Sequence, residues 1–306
     1  MTEKIAKPFL KWAGGKTQLI NEIEKSLPYK ITRNKFTYIE PFVGSAAVLF
    51  WMLNKFPNLE KAVICDINED LINTYRVIVS NPNELISILK IIQNEYHSLD
   101  SKQEEKKAYY YQKRQLYNSR IAEKSTRAAL FIFLNRTCFN GLYRVNKTNG
   151  FNVPIGSYRK PAICDEQNIL AVSDVLQKVE ILCGDYELTL NNVKDTSFFY
   201  FDPPYKPLNG TSSFNSYSKD EFNDEEQIRL RNFCSKLEKY GHKWMLSNSD
   251  LKGKNPNDTF FDDIYSNFRI SRVRAKRSIN ANPAKRGELN ELLITNYNYE
   301  QTLQTA

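Results

Sequence analysis

The chain has 306 residues, 41% of them hydrophobic and 13% aromatic, which suffices for a sizeable core in one or two domains. Lysine and arginine total 43 against 35 acids, a net charge of +8 that favours a polyanionic partner such as nucleic acid. Five scattered cysteines without a CxxC spacing, no apolar signal core after Met1-Thr2-Glu3-Lys4 and no run of membrane-spanning length argue against a disulfide scaffold, a secreted chain and a membrane protein, and favour a cytoplasmic one.

After Gly14-Gly15, the apolar residues Leu19, Ile20, Ile23 and Leu27 fall at helical spacing. Phe36 to Glu40 reads as a short strand that runs into Pro41-Phe42-Val43-Gly44, Ala46 to Leu53 as a helix, and Ala62 to Cys65 as a strand ending at Asp66. From about residue 69 to 160 the character changes. Asn81-Pro82-Asn83-Glu84 is a helix start, with Asn81 as cap and Pro82 in the first turn. Residues 101–120 read as a solvated helix, and Ala128 to Leu134 as an apolar one. Asn140 to Pro154 reads as a β-hairpin with Asn149-Gly150 near its tip.

Alternation then returns. Val179 to Cys183 is a strand ending at Gly184-Asp185, and Phe198 to Phe201 one ending at Asp202. Asp224 to Lys239 is helical, Lys243 to Leu246 is a strand leading to Ser247-Asn248, and Phe268 to Arg274 with Glu291 to Tyr297 form a terminal strand pair. Strands alternating with helices imply an α/β sheet covered on both faces, with the helical block 69–160 inserted into it.

Asp202-Pro203-Pro204-Tyr205 carries the chemistry. The two prolines stop the preceding apolar strand by removing backbone donors and fixing φ. A carboxylate, a free carbonyl and an aromatic ring then stand together at one strand end. That set can grip both hydrogens of a planar amino group and stack on the ring that bears it; adenine, cytosine and the glutamine amide all present one. Accepting from both hydrogens frees the lone pair of a poor amine nucleophile for attack on an electrophilic methyl. Read alone, the tetrapeptide could also be a plain turn with Tyr205 in the core.

Ligands in open α/β sheets lie outside the carboxyl ends of the strands. The loops there are Phe42 to Ala46, Asp66, Gly184 to Tyr186 and Asp202 to Tyr205. Gly44 permits close approach of a ligand to the backbone, and Asp66 follows it by 22 residues, a spacing that suits an acid on ribose hydroxyls. These features favour a nucleoside-containing cofactor, although for Asp185 an exposed turn acid fits the spacing equally well. Gly15-Lys16-Thr17 resembles the end of a P-loop, but Leu10 stands where that motif needs glycine; a ligand lid around Trp12 and Lys16 is the better reading. His97 and His242 have no ligand spacing, so neither a metal centre nor a histidine-activated nucleophile is expected. The hairpin region carries Arg136, Arg144, Lys147, Arg159 and Lys160, and segment 269–286 carries seven basic residues and no acid, a phosphate-contacting pattern.

These motifs closely resemble the Dam-type adenine-N6 DNA methyltransferases, the alpha group or D12 class, including the GATC methylases of restriction systems. The matching segments are Phe9 to Lys16, Glu40 to Ala46, Asp66 to Asn68, Phe139 to Gly156, Gly184 to Tyr186, Tyr200 to Tyr205, Leu246 to Asn248 and Arg277 to Tyr297, in the family's order along nearly the whole chain. The resemblance implies a class I S-adenosylmethionine-dependent methyltransferase fold, a Rossmann-like mixed sheet, over residues 1–68 and 161–306. It implies a mainly helical target recognition domain over 69–160 whose hairpin enters double-stranded DNA. Asp202, Pro203 and Tyr205 are then catalytic. Trp12, Lys16, Phe42, Gly44, Asp66, Asp185 and Asp202 lie at S-adenosylmethionine. Lys11, Asn140, Leu142, Arg144 and Pro154 meet DNA, most of them reading GATC, and Phe139 wedges into the base stack. Ala46 departs from the family, which usually has a second glycine there. Cytosine-N4 transfer and a non-catalytic DNA-binding role are the alternatives. Cytosine-C5 transfer lacks its Pro-Cys pair, and a glutamine methyltransferase would carry Asn in place of Asp202.

Overall fold

The computed structural model describes residues 5–12, 14–194, 196–205, 222–253, 255–276 and 288–299. Arg277, Lys285 and Arg286 of the basic segment lie outside the described residues.

Seven strands form one sheet: β1 (Phe36–Glu40), β2 (Leu59–Asp66), β3 (Val179–Cys183), β4 (Ser197–Phe201), β5 (Lys243–Ser249), β6 (Arg269–Lys276) and β7 (Glu288–Thr295). Their order is β3-β2-β1-β4-β5-β7-β6. The first five are parallel, and β7 runs antiparallel to both β5 and β6. This is the class I methyltransferase arrangement expected from the sequence. The chain moves outward from β1 to β3 and then returns to β4 beside β1. That reversal opens a crevice at the carboxyl ends of β1 and β4.

Strand alternation divides the core in two. Tyr38, Ala62, Ile64, Phe198, Tyr200 and Met245 face one apolar cluster, and Ile39, Val63, Phe199, Phe201, Trp244 and Leu246 face the other. Every residue of β1 and β4 is buried, as strands covered on both faces require. Helix α8 (Asp224–Lys239) covers the second face with Leu230, Phe233 and Leu237, and the short α9 (Phe260–Ile264) adds Phe261. The first face is covered by α1 (Ile20–Lys25), α2 (Ala47–Lys55), α3 (Glu69–Ser80) and α7 (Glu166–Leu176).

Three further helices follow α3 in the chain: α4 (Pro82–Ser98), α5 (Gln103–Asn118) and α6 (Lys124–Thr137). Helix α6 is buried almost all round from Ala128 to Asn135 and forms the centre of this block. Three expectations need correction. Asn81 stands at the start of α4, but its side chain makes no capping bond, because it also terminates α3. Helix α5 is not simply a solvated helix. Lys106, Tyr110 and Tyr117 form a buried stripe, with the Tyr110 hydroxyl donating to the Val153 carbonyl at 2.9 Å. The hairpin is a loop held by two isolated antiparallel bridges, Cys138–Ile155 and Val145–Phe151, rather than by continuous strands. Asn149 takes φ +59 at its tip and donates to the Asn146 carbonyl at 2.9 Å.

Asp70 ties this block together. Its buried carboxylate accepts from the Tyr117 hydroxyl at 2.5 Å and pairs with both Arg120 and Arg127. Arg120 also donates to the Asn149 carbonyl at 2.9 Å, so one acid links α3, α5, α6 and the hairpin tip. The hydroxyl and the two guanidinium groups hold the Asp70 carboxyl below the usual carboxylate range against the opposing effect of burial. Asp70→Ala leaves Arg127 and Tyr117 without their partner, and the expected loss is about 3–5 kcal/mol. Because the folded-state carboxyl titrates low, this stabilisation is present at neutral pH and disappears as pH falls through that depressed value. Urea denaturation of the parent and variant at pH 7 and near pH 3 measures both effects: the gap should be wide at pH 7 and narrow in acid.

Candidate active site

The carboxyl ends of four adjacent strands, β3, β2, β1 and β4, bring the predicted loops to one edge of the sheet. Asp202 leaves β4 at the centre of this edge. Its Oδ1 lies 2.9 Å from the Lys16 ammonium and accepts from the Ser247 hydroxyl at 3.2 Å. Among the described residues no hydrogen bond is made to Oδ2. The Asp202 side chain keeps 21% of its surface and Lys16 only 5%, so the carboxylate is reachable from outside and the ammonium is not. Burial raises the Asp202 carboxyl above its ordinary value, and Lys16 works against that rise.

Lys16 reaches this position from a single 3-10 turn, Lys16–Gln18, and also donates to the Gly14 carbonyl at 2.7 Å. Its ammonium stands 4.5 Å from the centre of the Tyr205 ring. The Tyr205 hydroxyl donates to Glu291 at 2.9 Å, which fixes the ring from β7. Gln227 of α8 donates to the Pro204 carbonyl at 3.1 Å and fixes the turn between the prolines and the ring. Glu40 ends β1 nearby, accepts from the Tyr38 hydroxyl at 2.7 Å, and is pushed up by burial to about 8.

The residues expected at the cofactor lie on the neighbouring loops. Gly44 has φ +47, and a Cβ there would lie 2.9 Å from the Trp12 indole nitrogen. Glycine at 44 therefore lets the Trp12 indole pack directly on the turn, and any side chain there would displace it. Asp66 accepts from the Gly44 amide at 3.1 Å and the Asn68 amide at 2.9 Å, and burial raises its carboxyl. These bonds come from the main chain and leave acceptor capacity on both oxygens for hydroxyl groups. Ile67 is 56% exposed beside it, an apolar surface next to the acid. Phe42 packs against Tyr186, Phe201 and Phe222 as an aromatic wall at the ends of β1, β3 and β4. An acid that can take hydroxyls, flanked by apolar and aromatic walls, fits S-adenosylmethionine. Asp185 differs from the rest: it caps the turn after β3 and pairs with Arg229 at 2.5 Å.

The residues expected at DNA also converge. Phe139, Asn140 and Gly141 form a tight turn in which Asn140 has φ +54, and Phe139 is 47% exposed. The Phe139 amide donates to the Pro154 carbonyl at 2.9 Å, which brings the two arms of the loop together. Leu142 is half-buried, whereas Arg144 and Pro154 are exposed. Arg144 donates to the Asn152 side chain at 2.7 Å. Lys11 packs on this loop from the opposite end of the chain: a Cβ at Gly141 would lie 2.5 Å from Lys11 carbons. Asn135 holds the backbone of Lys11 on both sides, accepting from its amide at 2.8 Å and donating to its carbonyl at 2.7 Å. Trp12 then stacks on Tyr143 at 5.6 Å, next to Gly44.

Ser247, Glu291, Gln227 and Glu40 belong to this site but received no role from the sequence. Ser247 could have been found, since it lies at the end of the strand beside β4. Glu291 gave no signal, because it arrives on an antiparallel strand from the far end of the chain.

A family model described as D12 class N6 adenine-specific DNA methyltransferase matches residues 12–279. The chain is similar to a type II methyltransferase, M.MjaIII, of Methanocaldococcus jannaschii, at 50% identity over 95% of this chain and 99% of that one. It is similar to the DNA adenine methylase of Haemophilus influenzae at 36% identity, over 94% of this chain and 92% of that one. The DNA adenine methylase of Escherichia coli is 31% identical over 93% of each.

The ion pair makes a stability prediction. Asp202 titrates above its ordinary value of 3.8, so the folded chain holds that proton longer than the unfolded one and stability declines as pH rises through the window between them. Lys16 limits the decline. Lys16→Met should cost about 3 kcal/mol at pH 8, and the deficit should shrink as pH falls toward 4 and Asp202 becomes neutral. Urea midpoints across that range measure it; a deficit that does not change with pH would remove Asp202 as the partner.

Proposed function

We propose, for a chain that belongs to the D12 class N6 adenine-specific DNA methyltransferases, that Asp202, Pro203 and Tyr205 carry out the transfer on an adenine drawn out of double-stranded DNA at GATC. The protein methylates adenine N6 in DNA with S-adenosylmethionine as donor, so the cytosine-N4 and non-catalytic readings give way. Bound S-adenosylmethionine supplies an electrophilic sulfonium methyl. The chain's own residues have the task of making N6 nucleophilic and aiming it.

The observation that carries this reading is the asymmetry of Asp202, whose Oδ1 is bonded to Lys16 and Ser247 while Oδ2 has no hydrogen bond among the described residues. In our reading Oδ2 and the Pro203 carbonyl each accept one hydrogen of N6, which draws the nitrogen toward a tetrahedral shape. Tyr205, held by Glu291, stacks on the base, a contact worth about 1–3 kcal/mol. Lys16 keeps Asp202 ionised, because acceptor capacity is lost on protonation. Trp12, Phe42, Gly44, Asp66 and Asp185 hold the donor, with Asp66 on its ribose. After transfer, N6 gives up one proton to Asp202 or to water.

Residues 69–160 act in this reading as the target recognition domain on a catalytic domain of 1–68 and 161–306. Phe139 wedges into the stack, and the few kcal/mol needed to extrude a base are offset by basic contacts. Lys11, Asn140, Leu142, Arg144 and Pro154 meet the target sequence. Among the described residues no helix is long and apolar enough to cross a membrane. We place the protein in a bacterial or phage-type cytoplasm, on DNA, in a restriction–modification setting.

Two variants test this. Asp202→Ala should abolish incorporation of labelled methyl into unmethylated duplex while leaving the fold and most DNA affinity intact; methylation near the parent rate would end the mechanism. Arg144→Ala should weaken discrimination at one base pair by about 1–3 kcal/mol. Relative rates over all single-base variants of GATC give the readout, and an unaltered pattern removes Arg144 from the reading set.

A further inference from the structure

Parallel pairing places Tyr200 opposite Met245 and Phe201 opposite Leu246. Two residues along each strand return to the same face of the sheet. Asp202 therefore follows Tyr200 on the face where Ser247 follows Met245. The three side chains meet there. The Tyr200 and Ser247 hydroxyls are 2.9 Å apart, and Ser247 stands 3.2 Å from Asp202 Oδ1. Both Tyr200 and Ser247 are completely buried.

The direction of this chain follows from counting protons. A buried phenol needs an acceptor, and among the described residues the Tyr200 hydroxyl meets Ser247. Tyr200 therefore donates to Ser247. The single Ser247 proton is left to choose between Asp202 Oδ1 at 3.2 Å and the Phe201 carbonyl at 3.4 Å. The charged acceptor is nearer and roughly doubles the strength of the bond.

We propose that Tyr200 and Ser247 are positioning residues for the methyl transfer: their hydrogen-bond chain locks Asp202 Oδ1 and so aims Oδ2 at the target amine. The inference rests on the reading of Asp202 given above. The ion pair with Lys16 fixes the charge of the carboxylate but not its rotation, since an ammonium is a near-spherical partner. Ser247, set on the neighbouring strand, supplies the second point that defines the carboxylate plane. Other groups around Asp202 include Glu40 from β1, Glu291 from β7, and the Tyr38 and Tyr205 hydroxyls; Lys16 is the cation among them.

Steady-state methyl transfer to a GATC duplex tests this with Ser247→Ala, Tyr200→Phe, the double variant and Asp202→Asn. Removing the Ser247 bond to a charged acceptor should lower kcat about 10-fold to 100-fold. KM for DNA and for the donor should stay within about twofold, a split expected when only the transition state loses an interaction. The acid limb of the kcat profile should move to higher pH, because Ser247 helps hold the Asp202 carboxyl down. Tyr200→Phe, which loses one oxygen and keeps the ring, should act in the same direction by a smaller factor. The double variant should be no worse than Ser247→Ala, because Tyr200 acts through Ser247. An unaltered kcat and acid limb in Ser247→Ala, an effect on KM alone, or multiplied effects in the double variant would overturn the proposal. If Ser247→Ala does not fold, Tyr200→Phe decides the matter by its kcat and acid limb. Turnover by Asp202→Asn near the parent rate would instead defeat the reading of Asp202 itself.

Discussion

An ionised carboxylate held largely out of water is the constraint around which this site is arranged. Removing such a group from water costs several kcal/mol unless a cation and hydrogen bonds replace the lost hydration. Asp202 has both, from Lys16 and Ser247, which lie 186 residues before it and 45 after it. The Lys16 contact explains why the N-terminal segment lies where it does. Leu19 and Ile23 bury themselves in the core and end a turn that carries the ammonium to the end of β4. The Ser247 contact is possible because β5 continues past the end of β4, where Ser247, Asn248 and Ser249 pair with Leu293, Leu292 and Glu291 of β7.

The loop of residues 138–156 and the glycine turn are coupled through a short series of contacts. Trp12 touches Gly44 on one side and Tyr143 on the other, and the adjacent Lys11 is clamped by Asn135 against Gly141. Asp66, Asn68 and Asp70 repeat the connection from β2: Asp66 accepts from Gly44, Asn68 caps α3, and Asp70 reaches the hairpin tip through Arg120. One apolar cluster extends from Tyr38 and Phe198 in the sheet to Tyr143 and Phe151 in the loop. A shift of the loop against the sheet must therefore disturb close packing as well as hydrogen bonds, and interiors packed at this density transmit strain.

Much of the fold was legible because β-branched and aromatic runs ended abruptly at glycine, proline or acid. β1 matches its expected bounds, and β3 and β4 match theirs to within one residue, since each is short, apolar and sharply punctuated. β5 was read three residues short, because Ser247, Asn248 and Ser249 are polar and break the apolar run, although all three pair with β7. Helix α7 received no separate assignment; Asp165 caps it, but its apolar face is brief. The burial of α5 was missed for a different reason. Tyrosine and lysine look solvated in a charged segment, yet Tyr110 and Tyr117 bury their rings, and Lys106 its stem, while each finds a polar partner. The parts of the site set by strand ends were legible in the same way. The parts brought by an antiparallel return, such as Glu291, depend on pairing that local pattern does not encode.

Residue 46 shows how much of the turn is fixed by hydrogen bonds rather than by residue type. Glycine is the residue expected at such a turn, and this chain places Ala46 at φ +59 with no surface exposed. A left-handed alanine costs roughly 1–2 kcal/mol. Burying one methyl returns about 0.8 kcal/mol. The remainder is met by the turn itself: Ala46 donates to the Val43 carbonyl at 2.7 Å, Val43 to the Cys65 carbonyl at 3.0 Å, and Gly44 to Asp66 at 3.1 Å. Two of those acceptors belong to β2, so the turn is held by the neighbouring strand and not by its own conformational preference. Gly44 has no such latitude. A Cβ there would meet the Trp12 indole, whereas the Ala46 methyl enters the core, which is why the glycine is required at one position and dispensable two residues later.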